Sequence, residues 1–157
     1  LKRFHCDPHP GNFAFREDGT VIIYDYGGVK TLSSATVQHF KQLIQAAREG
    51  NIVEIEQQLD ALHAISAQGK FPTELYKQWL EVLLRPLTTL YDFAENSAHH
   101  DGMELIKPSL KYWDVFKPSP ETLMVNRTVS GHYWNMIHLK MHDNLNDLFD
   151  ELAPPRA

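Results

Sequence analysis

Three polar residues near the start of the chain have side chains suited to phosphate chemistry. Asp7 is followed by Asn12, and Asp25 comes after two short apolar runs. Carboxylate and amide oxygens are ligands that Mg²⁺ accepts while it keeps several waters. A carboxylate near an acceptor oxygen can also orient that oxygen or take its proton. Together these groups could catalyse phosphoryl transfer, in which the protein contributes mainly positioning and electrostatic stabilisation.

The spacing of these residues matches two motifs of phosphoryl-transfer enzymes. Asp7 and Asn12 fit the kinase catalytic loop, H-R-D-x-x-x-x-N, and Asp25-Tyr26-Gly27 stands where the metal-binding D-F-G would follow. This interpretation makes Asp7 the catalytic carboxylate. Asn12 and Asp25 are then the ligands of Mg²⁺, through which the cofactor ATP is bound.

Four neighbouring residues complete the predicted site. His5 and His9 belong to the loop, Gly11 would let it turn tightly beside Asn12, and Gly27 would free the backbone after the second aspartate. An isolated D-x-x-x-x-N would favour a plain turn cluster, because Asp, Pro, Gly and Asn are common turn residues. The two histidines, the hairpin and the D-Y-G together favour the kinase-type site.

The hydrophobic pattern predicts one β-hairpin followed by helices. Residues 13–24 hold two apolar runs around an Asp18-Gly19 turn signal, and the chain beyond Leu32 has helical periodicity. Caps and prolines predict five or six helices within residues 33–152. The first runs from Ser33 or Ser34 to Gly50, the second begins at Asn51, and the third runs from Pro72 to about Ala98 with a kink or split at Pro86. After a polar break at 99–102, the fourth runs from Met103 to Phe116, the fifth begins at Ser119, and a short last helix begins at Asp143 or Asn144. The predicted fold class is α+β, mainly α.

Length, charge and composition limit the number of domains, the partners and the location that we expect for this chain. The chain has 157 residues, 43% of them hydrophobic, which is enough for a single domain over residues 1–157. Because it begins with Leu1, we expect it to start inside a longer protein. A net charge of −5 without a basic run argues against nucleic acid as a partner. The single cysteine and the absence of a long apolar segment favour an intracellular protein, cytoplasmic or peripherally membrane-associated, with no transmembrane segment in this chain.

The block His5–Asn12, H-C-D-P-H-P-G-N, resembles the H-A-D-P-H-P-G-N signature of the UbiB/AarF atypical kinases, also called the ADCK group. That family belongs to the protein-kinase-like superfamily and supports ubiquinone and other isoprenoid-lipid metabolism. Residues 126–134 also resemble, more weakly, an arginine-and-glycine helix near the end of such proteins. The resemblance implies a kinase C-lobe: catalytic loop 5–12, hairpin 13–24, D-Y-G 25–27 and helical region 33–152.

The resemblance also implies what lies outside this chain. The glycine-rich loop, the strand lysine and the family's K-x-G-Q motif are missing from the sequence, so the N-lobe of the same protein is the first expected partner. Lipid or quinone-biosynthesis partners at a membrane surface are implied as well. The chain alone is expected to be inactive as a kinase or ATPase. Two alternatives remain open: a small-molecule phosphotransferase of the aminoglycoside or choline kinase type, and a non-catalytic kinase-like binding module.

Four further features have structural interpretations. Cys6, where the family has alanine, is taken as a small hydrophobe rather than a nucleophile. His138 and His142 are one helical turn apart, but without a third ligand we interpret them as a solvated or hydrogen-bonded pair. Arg127 is expected to pair internally with a carboxylate. We interpret the aromatic set as core packing, with a lipid-facing groove as the alternative: Trp79, Tyr112, Trp113, Tyr133 and Trp134.

Overall fold

The computed structural model describes residues 3–66, 69–88, 90–95 and 98–154. Short strands and one hairpin come first, and helices make up most of the remainder, which confirms the predicted α+β, mainly α class. Within the described ranges, six helices have seven residues or more and one further helix has four. The first strands are β1 Arg3–His5, β2 Phe13–Phe15, β3 Val21–Ile23 and β4 Val29–Thr31.

The strands form two antiparallel pairs that position the loops between them. β2 and β3 form the predicted hairpin, with Phe13 opposite Ile23 and Phe15 opposite Val21. β1 pairs with β4, with His5 opposite Val29. The sequence analysis did not predict this second pair, which joins strands separated by the whole hairpin. As a result, the segment that follows β1 and the segment that precedes β4 meet at the same end of this two-stranded ladder.

The first two helices begin and end where their caps predict. α1 spans Ser34–Glu49, Ser33 accepts a hydrogen bond from the backbone N–H of Thr36, and Gly50 ends the helix at a φ of 66°. α2 spans Ile52–Ala61, and the Asn51 side chain caps its first turn. These helices pack together around a buried apolar cluster whose members are Ala46, Ile55, Leu59, Leu62, Ala64 and Phe71.

The third predicted helix divides and then ends earlier than expected. α3 spans Thr73–Leu83 and α4 spans Arg85–Thr88, so Pro86 lies at the predicted split. The prediction of helix to about Ala98 is wrong over the described residues that follow: Tyr91–Asp92 is a strand, β5. Extended backbone places residues two apart on one side, and Tyr91 and Phe93 are both almost fully buried. Residues 89, 96 and 97 of that predicted helix lie outside the described ranges.

The predicted polar break at residues 99–102 is also wrong, because these residues form the first turns of α5, Ala98–Ser109. A carboxylate oxygen of Asp101 accepts a 2.5 Å hydrogen bond from Arg85, and Gly102 packs against the Trp79 ring. A 3₁₀ turn, Leu110–Tyr112, continues α5. α6 Pro120–His138, β6 His142–Asp143 and α7 Asn146–Leu152 complete the chain, and β6 pairs with β5.

α6 lies between the second apolar core and the first loop of the chain. That core is built from Val82, Tyr91, Phe93 and Ala98, and Tyr133, Met136 and Ile137 of α6 pack against it. The hydroxyl groups of Tyr91 and Tyr133 lie 3.0 Å apart. Among the described residues, no helix has both the length and the apolar character needed to cross a membrane.

Candidate active site

The first loop, between β1 and β2, holds the carboxylate of Asp7 by hydrogen bonds from its own residues. The Nδ2 atom of Asn12 donates to one oxygen at 2.8 Å, and the backbone N–H of His9 donates to the other at 3.3 Å. The Asn12 bond is the main reason that the pKa of Asp7 lies below its ordinary value, followed by the His9 bond and the charges of His9 and Arg127. Asp7 therefore carries a negative charge at neutral pH.

Asn12 and Asp25 offer oxygens that suit a hard cation. Asn12 uses its amide nitrogen on Asp7, so its Oδ1 atom is the end of the side chain that is left to accept or to coordinate. Asp25 is exposed, and one of its carboxylate oxygens accepts from the backbone N–H of Gly27 at 2.7 Å. In the described part of the chain no group of three His, Cys, Asp or Glu residues could hold a metal. Carboxylate and amide oxygens are of the kind that Mg²⁺ accepts beside phosphates and water.

His5 connects the first loop, which contains Asp7, to the D-Y-G segment, which contains Asp25. Its Nδ1 atom accepts from the backbone N–H of Asp7 at 3.3 Å, so the proton of the neutral ring is on Nε2. Nε2 in turn donates to the backbone oxygen of Asp25. The ring also meets Phe13 edge to face, with centroids 5.7 Å apart. One imidazole thus ties the backbone of the first aspartate to that of the second.

Glycines let the two loops approach each other closely. A Cβ atom on Gly28 would lie 3.3 Å from the Asp7 Cβ, and the Gly28 oxygen accepts from the backbone N–H of Cys6 at 2.9 Å. The predicted Gly27 and Gly11 have local roles, because a Cβ there would lie 3.1 Å from Asp25 Oδ1 and 3.0 Å from His9 Nδ1. The His9 side chain accepts from the backbone N–H of Gly11. The sequence analysis missed Gly28, although its place directly after the D-Y-G could have suggested it.

The part of the chain that contains this site matches a known family model. Residues 1–59 match the model of the ABC1 atypical kinase-like domain. This segment is therefore similar to part of an ABC1 atypical kinase-like domain. A curated relative, Protein ACTIVITY OF BC1 COMPLEX KINASE 7, chloroplastic, from Arabidopsis thaliana, is 33% identical over 66 residues. The match covers 42% of this chain, which spans only 10% of the length of that relative. Both matches support the predicted resemblance to the UbiB/AarF-type atypical kinases.

α6 lies outside the matched residues 1–59, and its side chains contact the backbone of the loop between β1 and β2. Thr128 Oγ1 donates to the backbone oxygen of Cys6 at 3.4 Å, and Asn135 Nδ2 donates to that of Pro8 at 2.7 Å. Between these contacts, a Cβ on Gly131 would lie 2.0 Å from the Pro8 Cγ. The carbonyls on both sides of Asp7 are therefore held by one helix, whose glycine leaves space for the proline.

Only part of this support is indicated by the sequence. Residues 126–134 were noted for their resemblance to a family helix, but nothing in the sequence linked Thr128 or Gly131 to the ABC1 loop, and Asn135 was not noted at all. The Asn135 bond joins residues 127 positions apart. Such a contact has no local sequence signal, since hydrophobic periodicity reports which face of a helix is covered and not by which segment.

Three expectations for side chains near the ABC1 site need correction. Arg127 is exposed, and it makes no ion pair within the ranges that the structure describes. Trp113, which follows the 3₁₀ turn after α5, is 71% exposed, and Trp134 on α6 is 50% exposed, so neither belongs to the core. α6 ends at His138 while His142 lies in β6, so the two histidines do not share one helical face.

Cys6 has the environment expected of a small apolar residue. Its side chain is half-buried, and burial raises the pKa of the Cys6 thiol more than the nearby Lys30 lowers it. A thiol with a raised pKa is a poor nucleophile at neutral pH, because the thiolate is the reactive form. The geometry gives Cys6 a backbone role: its N–H and oxygen bond to Gly28 and Thr128.

Proposed function

We propose that this chain is the C-terminal lobe of an ABC1-type atypical kinase or ATPase that binds MgATP. In this proposal Asp25 and Asn12 hold Mg²⁺, and Asp7 acts on the reacting oxygen. The observation that supports it best is the connection between the two loops: Asp7 bonds to Asn12, and His5 bonds to the backbone of both aspartates. A plain turn cluster would not need to fix Asp7 and Asp25 relative to each other.

Each side chain has a chemical task that its surroundings favour. Asp7 is ionised at neutral pH, so it can orient an attacking hydroxyl or water and accept its proton. Asn12 stays in place through its bond to Asp7, with its amide oxygen left to coordinate. When bound, Mg²⁺ would neutralise charge that develops on the phosphates. His5 would keep the two carboxylates at a fixed separation while the nucleotide changes.

An exposed apolar patch supports the proposal of a second lobe. Phe15 and Val21 lie opposite each other near the end of the hairpin, and both are more than half exposed. Tyr24 and Tyr26, which flank Asp25 in the chain, are also more than half exposed. Large apolar side chains that are exposed in this way are typical of a surface that meets a partner. We infer that the N-lobe covers this hairpin patch, defined as Phe15, Val21, Tyr24 and Tyr26, and that it supplies the phosphate-binding lysine.

The metabolic role is proposed from the family resemblance. The block His5–Asn12 resembles the signature of UbiB/AarF proteins, which support ubiquinone and isoprenoid-lipid metabolism. On this basis, the intact protein would hydrolyse ATP or transfer its γ-phosphate in the service of quinone or lipid synthesis. Lipid or quinone-biosynthesis partners at a membrane surface belong to the same proposal.

Titration of MgATP into the intact protein, with its N-lobe, tests the nucleotide site. We expect Asp25→Asn to weaken MgATP binding at least tenfold, because the amide loses the charge that attracts the metal. Asp18→Asn is the matched control: it makes the same change in the hairpin turn, where the Asp18 oxygen accepts from the Thr20 N–H, a bond that asparagine can also accept. Equal affinity of wild type and Asp25→Asn would contradict the proposed role of Asp25.

A further inference from the structure

A groove lies beside Asp7, between the first loop and α6. We propose that this groove binds the phosphoryl acceptor, and that the acceptor is a small molecule with a hydroxyl group, an anionic group and a planar apolar part. The inference rests on the proposed function, since it assigns the second substrate of the same site. It goes beyond that function by naming the chemical class of a molecule that the ATP site itself does not specify.

The dimensions of the groove suit a small molecule. Its volume is about 340 Å³, which is at the lower end of the range for small-molecule pockets, about 300–1,000 Å³. One wall contains Asp7 and Pro8, and α6 supplies the other with Arg127, Trp134, Asn135 and His138. Asp7 is thus on the wall of a space that can hold a ligand, and α6 closes the far side.

Arg127 gives the groove its preference for an anion. The side chain is exposed, and within the described residues no hydrogen bond or ion pair occupies its guanidinium group. A guanidinium group presents a planar set of donors that matches a carboxylate or phosphate bidentately. An anionic acceptor also needs such a cation, because it must otherwise approach the negative charge of Asp7.

Trp134 gives the groove its preference for a planar apolar group. It lies two helical turns after Arg127 on the same side of α6, and half of its surface is exposed. An exposed indole ring can stack on a flat ligand and donate from its Nε1 atom. Asn135 and His138 are already fixed, by the Pro8 oxygen and the Trp134 oxygen respectively. The Trp134 ring itself meets the His99 ring, with centroids 5.8 Å apart.

The position of Asp7 defines the reaction that the acceptor undergoes. The acceptor hydroxyl oxygen forms a bond to the γ-phosphorus of ATP, and the bond from that phosphorus to the β,γ-bridging oxygen breaks. ADP leaves with the bond's electron pair, and the hydroxyl proton passes to the Asp7 carboxylate. The products are ADP and a phosphate ester that carries the acceptor's own anionic group.

Mandelate is a suitable probe because it combines a hydroxyl, a carboxylate and a phenyl ring. We expect mandelate, titrated into the intact protein without nucleotide, to shift the NMR signal of the Trp134 indole N–H. 1-Phenylethane-1,2-diol has the ring and hydroxyl without the charge, and should bind at least fivefold more weakly. Equal affinity for the two compounds, or shifts that leave Trp134 unchanged, would overturn the inference.

Two arginine variants distinguish mandelate binding in the groove from a general effect of positive charge. Arg127→Gln should weaken mandelate binding at least fivefold and leave the diol unaffected. Arg16→Gln, an exposed arginine in the hairpin turn away from the groove, should change neither. Undiminished mandelate binding by Arg127→Gln would refute the anion site. Failure of the intact protein to bind MgATP would instead refute the proposed function, and the nucleotide-free titration reports independently of that result.

Discussion

The carboxylate of Asp7 is held by Asn12 and by the backbone of His9, and both bonds stabilise its ionised form. We expect a ¹³C NMR titration to give Asp7 a pKa below the ordinary value of about 3.9. Because the folded-state pKa is depressed, the Asp7 contribution to stability is present above the unfolded pKa and is lost as the pH falls through the folded one. Asn12→Ala should raise the Asp7 pKa, whereas Asn126→Ala on α6 should leave it unchanged.

Asp7 and Asp25 should differ in which kinetic quantity their substitution changes. In the intact protein we expect Asp7→Asn to lower turnover at least a hundredfold with little change in MgATP affinity, because in the proposed function the loop carboxylate acts on the reacting oxygen. Single-turnover ATP cleavage and calorimetric titration would measure the two quantities. Turnover that survived Asp7→Asn while MgATP still bound would favour a non-catalytic nucleotide-binding module.

The sequence predicted the polar side chains of this site better than it predicted their supports. Asp7, Asn12 and Asp25 belong to motifs with characteristic spacing, so they could be chosen from one segment, and their roles stay predictions. Gly28 and Asn135 matter through contacts with that segment from elsewhere. The Asn135 contact has no sequence signal, because a long-range hydrogen bond exists only after folding, and Gly28 is suggested only by its place directly after the D-Y-G.

At the scale of one helix, Gly131 determines how closely α6 approaches the first loop. In an open helix, Gly→Ala stabilises by about 1 kcal/mol. At position 131 the added methyl would lie 2.0 Å from Pro8, so we expect Gly131→Ala to lower the free energy of unfolding and to shift the NMR signals of the loop.

Gly102 in α5 is the matched control for this substitution. A methyl there would meet the Trp79 ring at 3.5 Å, an ordinary contact, so Gly102→Ala should leave the protein as stable or more stable. Urea unfolding of the two variants measures the difference. If both variants gained stability equally, and the loop signals did not move, α6 would not press on the loop as described.

Elements with local signals were predicted, and elements with distant partners were not. α1, α2 and α6 have caps at Ser33, Asn51 and Ser119 in the sequence itself. β5 depends on β6, about fifty residues later, and β1 depends on β4 beyond the hairpin. A short strand that is stabilised only by such a partner cannot be distinguished from a helix by its own composition.

For the whole molecule, the hairpin patch predicts how the chain behaves without its proposed N-lobe. Because its four apolar side chains are more than half exposed, we expect the chain alone to self-associate at micromolar concentration. Sedimentation velocity would measure this. Val21→Lys should make the chain monomeric, while Trp113→Lys should not, because Trp113 is also apolar and more than half exposed but follows the 3₁₀ turn after α5, outside the hairpin. Association that is unchanged by Val21→Lys would place the contact elsewhere.

The hydrogen bonds that join α6 to the first loop span 122 and 127 residues, which has a consequence for the timing of synthesis. A ribosome adds about 5–20 residues per second, so the loop exists for roughly 6–25 seconds before the helix that supports it has been made. During that interval a nascent chain has the candidate site residues of the first loop without the helix that supports them. We expect competence to appear late and abruptly during translation, when Asn135 has emerged, and not gradually as the chain lengthens.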